Sequence, residues 1–306
     1  MAKKAKSVSL FSRVSKADRA FDIVNFIIML FVSIVCIYPF YYCVVISFNE
    51  GYDALKGGIY LWPRMFTFEN YKIIFQDGAI ITAFVVTLLR TVIGTALSLV
   101  LTSFMAFSMI RKQLMFRKFY ITMGIVTMYF SGGLIPLYLL IKNMGMVDSF
   151  WVYIIPNLFS FYNTIIMMAF FREIPVSMIE ASKLDGANEW QVFWKVVMPV
   201  STAVIATICM YNAVYHWNAW FDGYIYISDP KKKTLALLLV EMINEGKAME
   251  ALRTSGNSLV LSGMSGPTEN SVRLATMVVA VLPIMCVYPF CQKYFIQGIM
   301  LGAVKG

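Results

Sequence analysis

Tyr211, Tyr215, Asn218 and Asp222 recur at i, i+4, i+7 and i+11 and so share one helical face, with Asn212, His216 and Trp220 on the adjacent strip. Aromatic rings cover the apolar C–H face of a pyranose, and amide or carboxylate groups bond its hydroxyls, so this face suits sugar binding. A plainer reading stays open: Trp220, Tyr224 and Tyr226 as an aromatic belt at a membrane surface, with Asn and His bonding neighbouring helices. A second polar cluster comprises Asn157, Ser160, Tyr162, Asn163 and Thr164. Arg90 lies alone within an apolar run, and an ionised guanidinium there needs a partner, by default Asp222 or a backbone break in the third span. The sharper expectation is that Arg90 faces a solute path and attracts a carboxylate of an acidic oligosaccharide such as a uronate.

Other chemistry is excluded by what is missing. No nucleophile and base, paired carboxylates or metal ligands converge in any apolar run, so no catalytic residue is expected. His216 is the sole histidine and has no second ligand in view. Cys36, Cys43, Cys209, Cys286 and Cys291 show no C-x-x-C spacing and read as small core residues, neither a disulfide framework nor a zinc site. The chain has no G-x-x-x-x-G-K-[ST] phosphate loop and is expected to bind no cofactor itself.

The elements that must position these groups are membrane helices. With 59% hydrophobic and 14% charged residues, the chain has the bilayer as its solvent. Apolar runs near 21–48, 79–108, 119–141, 150–171, 200–227 and 272–296 are each long enough to cross it, which predicts an all-α integral membrane protein with six transmembrane helices. The run from Phe21 is too long for a secretory signal and lacks a small-residue cleavage site. Lys and Arg are denser in the first 20 residues, after the second run and around residues 172–195 than in the alternate loops, so both termini are placed in the cytoplasm. The net charge of +9 sits at membrane flanks and points to anionic lipid, not nucleic acid. Pro39 predicts a kink in the first span. Ser131-Gly132-Gly133-Leu134-Ile135-Pro136 predicts a broken third span, read either as a bend lining a pathway or as close packing of small residues. The loop over 228–271 predicts a helix near 235–252 and is placed on the exterior, where the run Lys231-Lys232-Lys233 reads as the solvation of an exposed end.

One polar segment interrupts the apolar pattern. After Pro175, Ser177 and Glu180 form an S-x-x-E capping box, and Asn188 and Gln191 repeat it as N-x-x-Q. Gly186 between them predicts a helix ended by a left-handed residue, hence a built helix–turn–helix.

Glu180-Ala181-Ser182, then Gly186, then Val196-Val197-Met198-Pro199, resembles the EAA loop of ABC-importer permeases, with Ser182 and Met198 in place of the usual Ala and Leu. The string from Glu180 to Trp194 is similar to the version in carbohydrate-uptake permeases, and the Gly-Gly-Leu-Ile-Pro bend and the ending Tyr288 to Gly306 extend the likeness over nearly the whole chain, toward the maltose permease G subunit. The resemblance implies a basic tail (1–20), then one permease domain (21–306) whose EAA loop (173–199) couples to an ATPase through Met178, Glu180, Ala181, Ser182, Leu184, Asp185, Gly186, Trp190 and Pro199. It further implies a bacterial plasma-membrane location, a second and different permease as heterodimer partner, two ATPase subunits holding ATP and Mg, and an extracellular solute-binding protein. The solute would be an oligosaccharide passing Arg90, Asn163, Tyr211, Asn212, Tyr215, His216, Asn218 and Asp222. The tail Gly302–Gly306 would reach the ATPase pair. The rival expectation is a secondary transporter or channel for polar solutes.

Overall fold

The computed structural model describes residues 16–76, 78–254 and 266–303. The described residues are helical apart from turns and one isolated bridge between Asn49 and Phe66. A first helix, α1 (Lys16–Ser47), continues through Pro39, and short helices α2 (Gly51–Leu55) and α3 (Glu69–Gln76) lead to α4 (Gly78–Ile110). Next come α5 (Arg117–Tyr129), α6 (Leu134–Asn143), two 3₁₀ turns (Phe150–Tyr153 and Ile155–Asn157) and α7 (Phe161–Arg172). The elbow consists of α8 (Val176–Leu184), α9 (Glu189–Val192), a π turn (Phe193–Val197) and α10 (Met198–Val200). The chain ends with α11 (Thr202–Asn218), α12 (Phe221–Tyr226), α13 (Leu235–Thr254) and α14 (Glu269–Ala303).

Among the described residues, three helices are long and apolar enough to cross a membrane, and three bent pairs bring the number to six if each pair is one span. The expected count is therefore accommodated, but three spans are not the continuous helices their apolar runs suggest. Between α5 and α6 the chain turns by 113°, because Gly133 takes φ +87 and caps α6 in a conformation closed to other residues. No atom of this chain lies within 4 Å of a Cβ built on Gly132 or Gly133, so the left-handed φ of Gly133, and not packing within the chain, is what requires a glycine at the bend. The fourth run begins as 3₁₀ around Pro156 before bending 51° into α7. The fifth is interrupted at Ala219 and Trp220, between α11 and α12.

The centre of the bundle is α4, which packs most extensively on α11 and α7. Its contact with α11 depends on Gly94, since a Cβ there would lie 2.5 Å from the imidazole Nε2 of the buried His216. A Gly94→Ala variant should lose about 1–3 kcal/mol through overpacking. Its melting temperature in detergent should fall below that of the wild type, and His216→Ala should recover part of the loss by vacating the space.

Candidate functional site

Two regions concentrate the residues singled out by sequence. The first is the elbow. The Ser177–Glu180 capping box does not form: Pro175 itself caps α8 without a side-chain bond, and Ser177 is exposed inside the first turn. Proline has already fixed the entry dihedral, so the serine one residue into the helix is too late to cap. The end of α8 follows expectation. Gly186 has φ +84, its N–H bonds the Lys183 carbonyl at 3.0 Å, and the Ala187 N–H bonds the Ser182 carbonyl at 3.0 Å, the paired bonds of a Schellman motif. Asn188 Oδ1 accepts from the Gln191 N–H at 2.9 Å and Gln191 Oε1 from the Asn188 N–H at 3.0 Å, closing the second capping box. Pro199 has no N–H for the Lys195 carbonyl, which accounts for the π turn beside it, and the elbow then bends by 84° into α11.

Glu189, which the sequence reading passed over, joins the elbow to α4. It accepts from Lys183 Nζ at 2.5 Å and from Arg111 Nη2 at 2.8 Å, and the Arg111 guanidinium stacks 4.2 Å from the Phe107 ring. Trp190 and Phe193 pack on Phe104, and Phe193 also on Phe107. The elbow is thus fastened to one end of α4 by an ion pair and an aromatic cluster. What it leaves outside is mixed, with large apolar side chains among polar ones: Leu184 is 89% exposed and Trp190 58%, and Met178, Glu180, Ala181 and Asp185 are also exposed. Ser182, partly buried, turns its hydroxyl back onto the Ile179 carbonyl at 2.8 Å.

The Lys183 ammonium, and then Arg111, hold the Glu189 carboxyl below its ordinary value near 4.5. A lowered carboxyl stabilises the fold at pH above that ordinary value and loses its contribution as pH falls below it. Because the pair is largely exposed, the effect is small. Glu189→Gln should speed hydrogen exchange across residues 183–193 by about two- to fivefold at neutral pH, and the gap from wild type should close in acid.

The second region is a groove between the 3₁₀ turns and α11–α12. One chamber of about 560 Å³ is lined by Leu134, Leu137, Asn157, Tyr215, Asn218, Trp220, Phe221, Asp222 and Tyr226 among others. A second of about 490 Å³ is lined by Asn157, Tyr162, Asn163, Tyr211, Asn212 and Tyr215 among others, and the two share Pro156, Asn157 and Tyr215. The face Tyr211–Tyr215–Asn218–Asp222 is therefore brought to one groove despite the helix break. Asn163 Nδ2 donates to Asn212 Oδ1 at 3.1 Å across α7 and α11.

Two of the expected pathway residues lie elsewhere. His216 is buried against Gly94, on the face of α11 turned to α4. Arg90 has no exposed side-chain surface: it makes a two-pronged pair with Asp222, donates to the Ala219 carbonyl at 2.9 Å and lies 4.5 Å from the Tyr153 ring. It stands behind the groove wall, where the default partner, Asp222, occupies it. The Ala219 carbonyl is freed by the break after α11, so Arg90 also caps that helix end. Tyr153 donates onward to the Lys232 carbonyl at 2.9 Å, and Thr87 Oγ1 accepts the Leu235 N–H at 2.8 Å. No cluster of metal-ligating side chains occurs among the described residues.

A model of the binding-protein-dependent transport system inner membrane component family matches residues 7–301. The chain belongs to this family. Among similar proteins is the polygalacturonan/rhamnogalacturonan transport system permease protein YtcP of Bacillus subtilis (strain 168), 35% identical over 289 residues that cover 94% of this chain and 99% of the relative. Protein LplC of the same organism is 35% identical over 294 residues, covering 95% and 97%. One chain of the crystal structure of a bacterial ABC transporter involved in the import of the acidic polysaccharide alginate superposes with a TM-score of 0.83 at 27% identity, covering 93% of this chain and 100% of that one. An inner membrane component of a binding-protein-dependent system is a multi-pass membrane permease and not itself a catalytic subunit. The rival reading as a secondary transporter or channel gives way to it.

Proposed function

We propose that this chain is one permease of a binding-protein-dependent ABC importer for oligosaccharides. It pairs with a second, different permease, and two separate ATPase subunits holding ATP and Mg grip its elbow from the cytoplasm. An extracellular binding protein delivers solute to the groove. The observation that carries the reading is the elbow, a two-helix unit with a Schellman turn, exposed Leu184 and Trp190, and an ion pair and aromatic cluster fastening it to α4. Exposed apolar side chains on the same elbow as exposed Glu180, Lys183 and Asp185 suit docking to another protein, and the tie to α4 carries its movement to the centre of the bundle. The groove, with aromatic and amide walls, has the chemistry of a sugar path. Relatives whose names cite polygalacturonan/rhamnogalacturonan and alginate support an acidic polysaccharide fragment as solute.

Affinity purification of this chain from its native membrane in mild detergent should recover an ATPase and another permease. Proteoliposomes of that complex with its binding protein should take up oligosaccharide only with ATP. Uptake by the chain alone, or with no ATPase present, would refute the proposal.

A further inference from the structure

The groove wall contributed by this chain carries no net charge. Among the described residues, neither chamber is lined by Lys, Arg or His, and the one charged side chain that lines them is Asp222. Asp222 keeps 14% of its side chain exposed to the groove, and directly behind it the fully buried Arg90 supplies an opposite charge through two hydrogen bonds. A carboxylate and a guanidinium in such contact present a solute with a dipole and not a monopole. The polar groups that remain are uncharged: amides such as Asn157 and Asn218, the latter with one N–H on the Val214 carbonyl, hydroxyls such as those of Ser160, Tyr211 and Tyr215, and the Trp220 indole. They bond hydroxyls whatever the charge of the ring that bears them.

We propose that the Arg90–Asp222 pair is a specificity-determining neutraliser: it makes this wall blind to solute charge, so that this chain admits acidic and neutral oligosaccharides alike. The proposal rests on the groove being the sugar path. It assigns Arg90 a role through Asp222, with no contact to solute, and it makes Asp222 tolerable beside a polyanion, which a bare carboxylate would repel.

The test uses the whole reconstituted complex with its binding protein, and two probes: an oligogalacturonide and its carboxyl-reduced, uncharged counterpart. The readout is the ratio of their kcat/KM values. Asp222→Asn leaves the arginine charge and should shift the ratio toward the acidic probe by roughly fivefold. Arg90→Gln leaves the carboxylate and should shift it about equally in the opposite sense. The double variant should return it to the wild-type ratio. A purely structural pair would lower both probes alike in each single variant. Because either single variant risks failing to assemble, Asn218→Lys and Asn218→Asp add charge to the same chamber from an exposed position with the pair intact. They should shift the ratio toward and away from the acidic probe, respectively. Shifts of opposite sign sustain the proposal. A ratio unmoved by the two Asn218 variants, or moved the same way by both charges, overturns it. If the wild-type complex takes up neither these probes nor any other oligosaccharide that its binding protein retains, it is the oligosaccharide reading of the chain that falls.

Discussion

Asp222→Ala is expected to cost about 3–5 kcal/mol of folded stability, the largest single effect in the membrane region, because it strands a guanidinium away from water. Arg90 has no exposed side-chain surface, and its Nε already lacks a partner, so the loss of Asp222 leaves it with the Ala219 carbonyl and the Tyr153 ring alone. The damage should not stay local. Arg90 holds the break after α11, Tyr153 holds the Lys232 carbonyl, and Asp222 accepts from its own neighbour Gly223 at 2.8 Å, so the wall of the groove and the start of the loop toward α13 share one polar hub. The check is thermal denaturation of the detergent-purified complex, followed by size-exclusion chromatography. A clear loss of assembled complex is expected for Asp222→Ala, with partial recovery in Arg90→Gln/Asp222→Asn, where both charges are gone and the hydrogen-bonding shapes remain. If the double variant were as unstable as the alanine variant, charge burial would not be the cause.

This hub also shows where sequence reasoning ended. Hydropathy located the six apolar runs because the bilayer imposes a length and a composition that any crossing helix must meet. It could not show that the third, fourth and fifth runs are broken, since composition over a run does not register a bend. Only Gly133, with its left-handed φ, announced one of the three. The elbow was legible where local rules decide: Asn188 with Gln191, and Gly186 as the helix stop, involve bonds spanning at most five residues. Ser177 misled because the same local pattern competes with Pro175 for the start of α8. Glu189 was missed because its meaning depends on Arg111, 78 positions away, and no periodicity links them. Likewise, helical spacing put Tyr211, Tyr215, Asn218 and Asp222 on one face, and the need of a buried guanidinium for a partner pointed Arg90 to Asp222, but neither could tell that His216 turns to Gly94 or that the pair places Arg90 behind the wall.

Gly186→Val should uncouple the transporter while leaving it assembled. At φ +84 the glycine lets the Ala187 and Gly186 N–H groups return to the Ser182 and Lys183 carbonyls, and nothing lies within 4 Å of a Cβ placed there, so the constraint is the backbone angle and not space. A left-handed conformation costs an ordinary residue roughly 1–2 kcal/mol, and a β-branched one more. The turn would therefore open, and the angle between α8 and α9, which sets where Leu184 and Trp190 point, would no longer be fixed. The proposed coupling works only if the elbow surface has different contact free energy in the two states of the proposed ATPase pair, and a hinge that bends freely erases that difference. The expected result is ATP hydrolysis within about twofold of wild type with sugar uptake per ATP reduced about tenfold or more, a loss of differential contact near 1.4 kcal/mol. Gly186→Asn supplies the control, since asparagine tolerates the left-handed region and should keep most coupling. Normal uptake per ATP in the valine variant would mean that the elbow transmits force without a fixed angle, and the lever would have to lie in the Glu189–Arg111 tie and the Phe104–Trp190–Phe193 cluster instead.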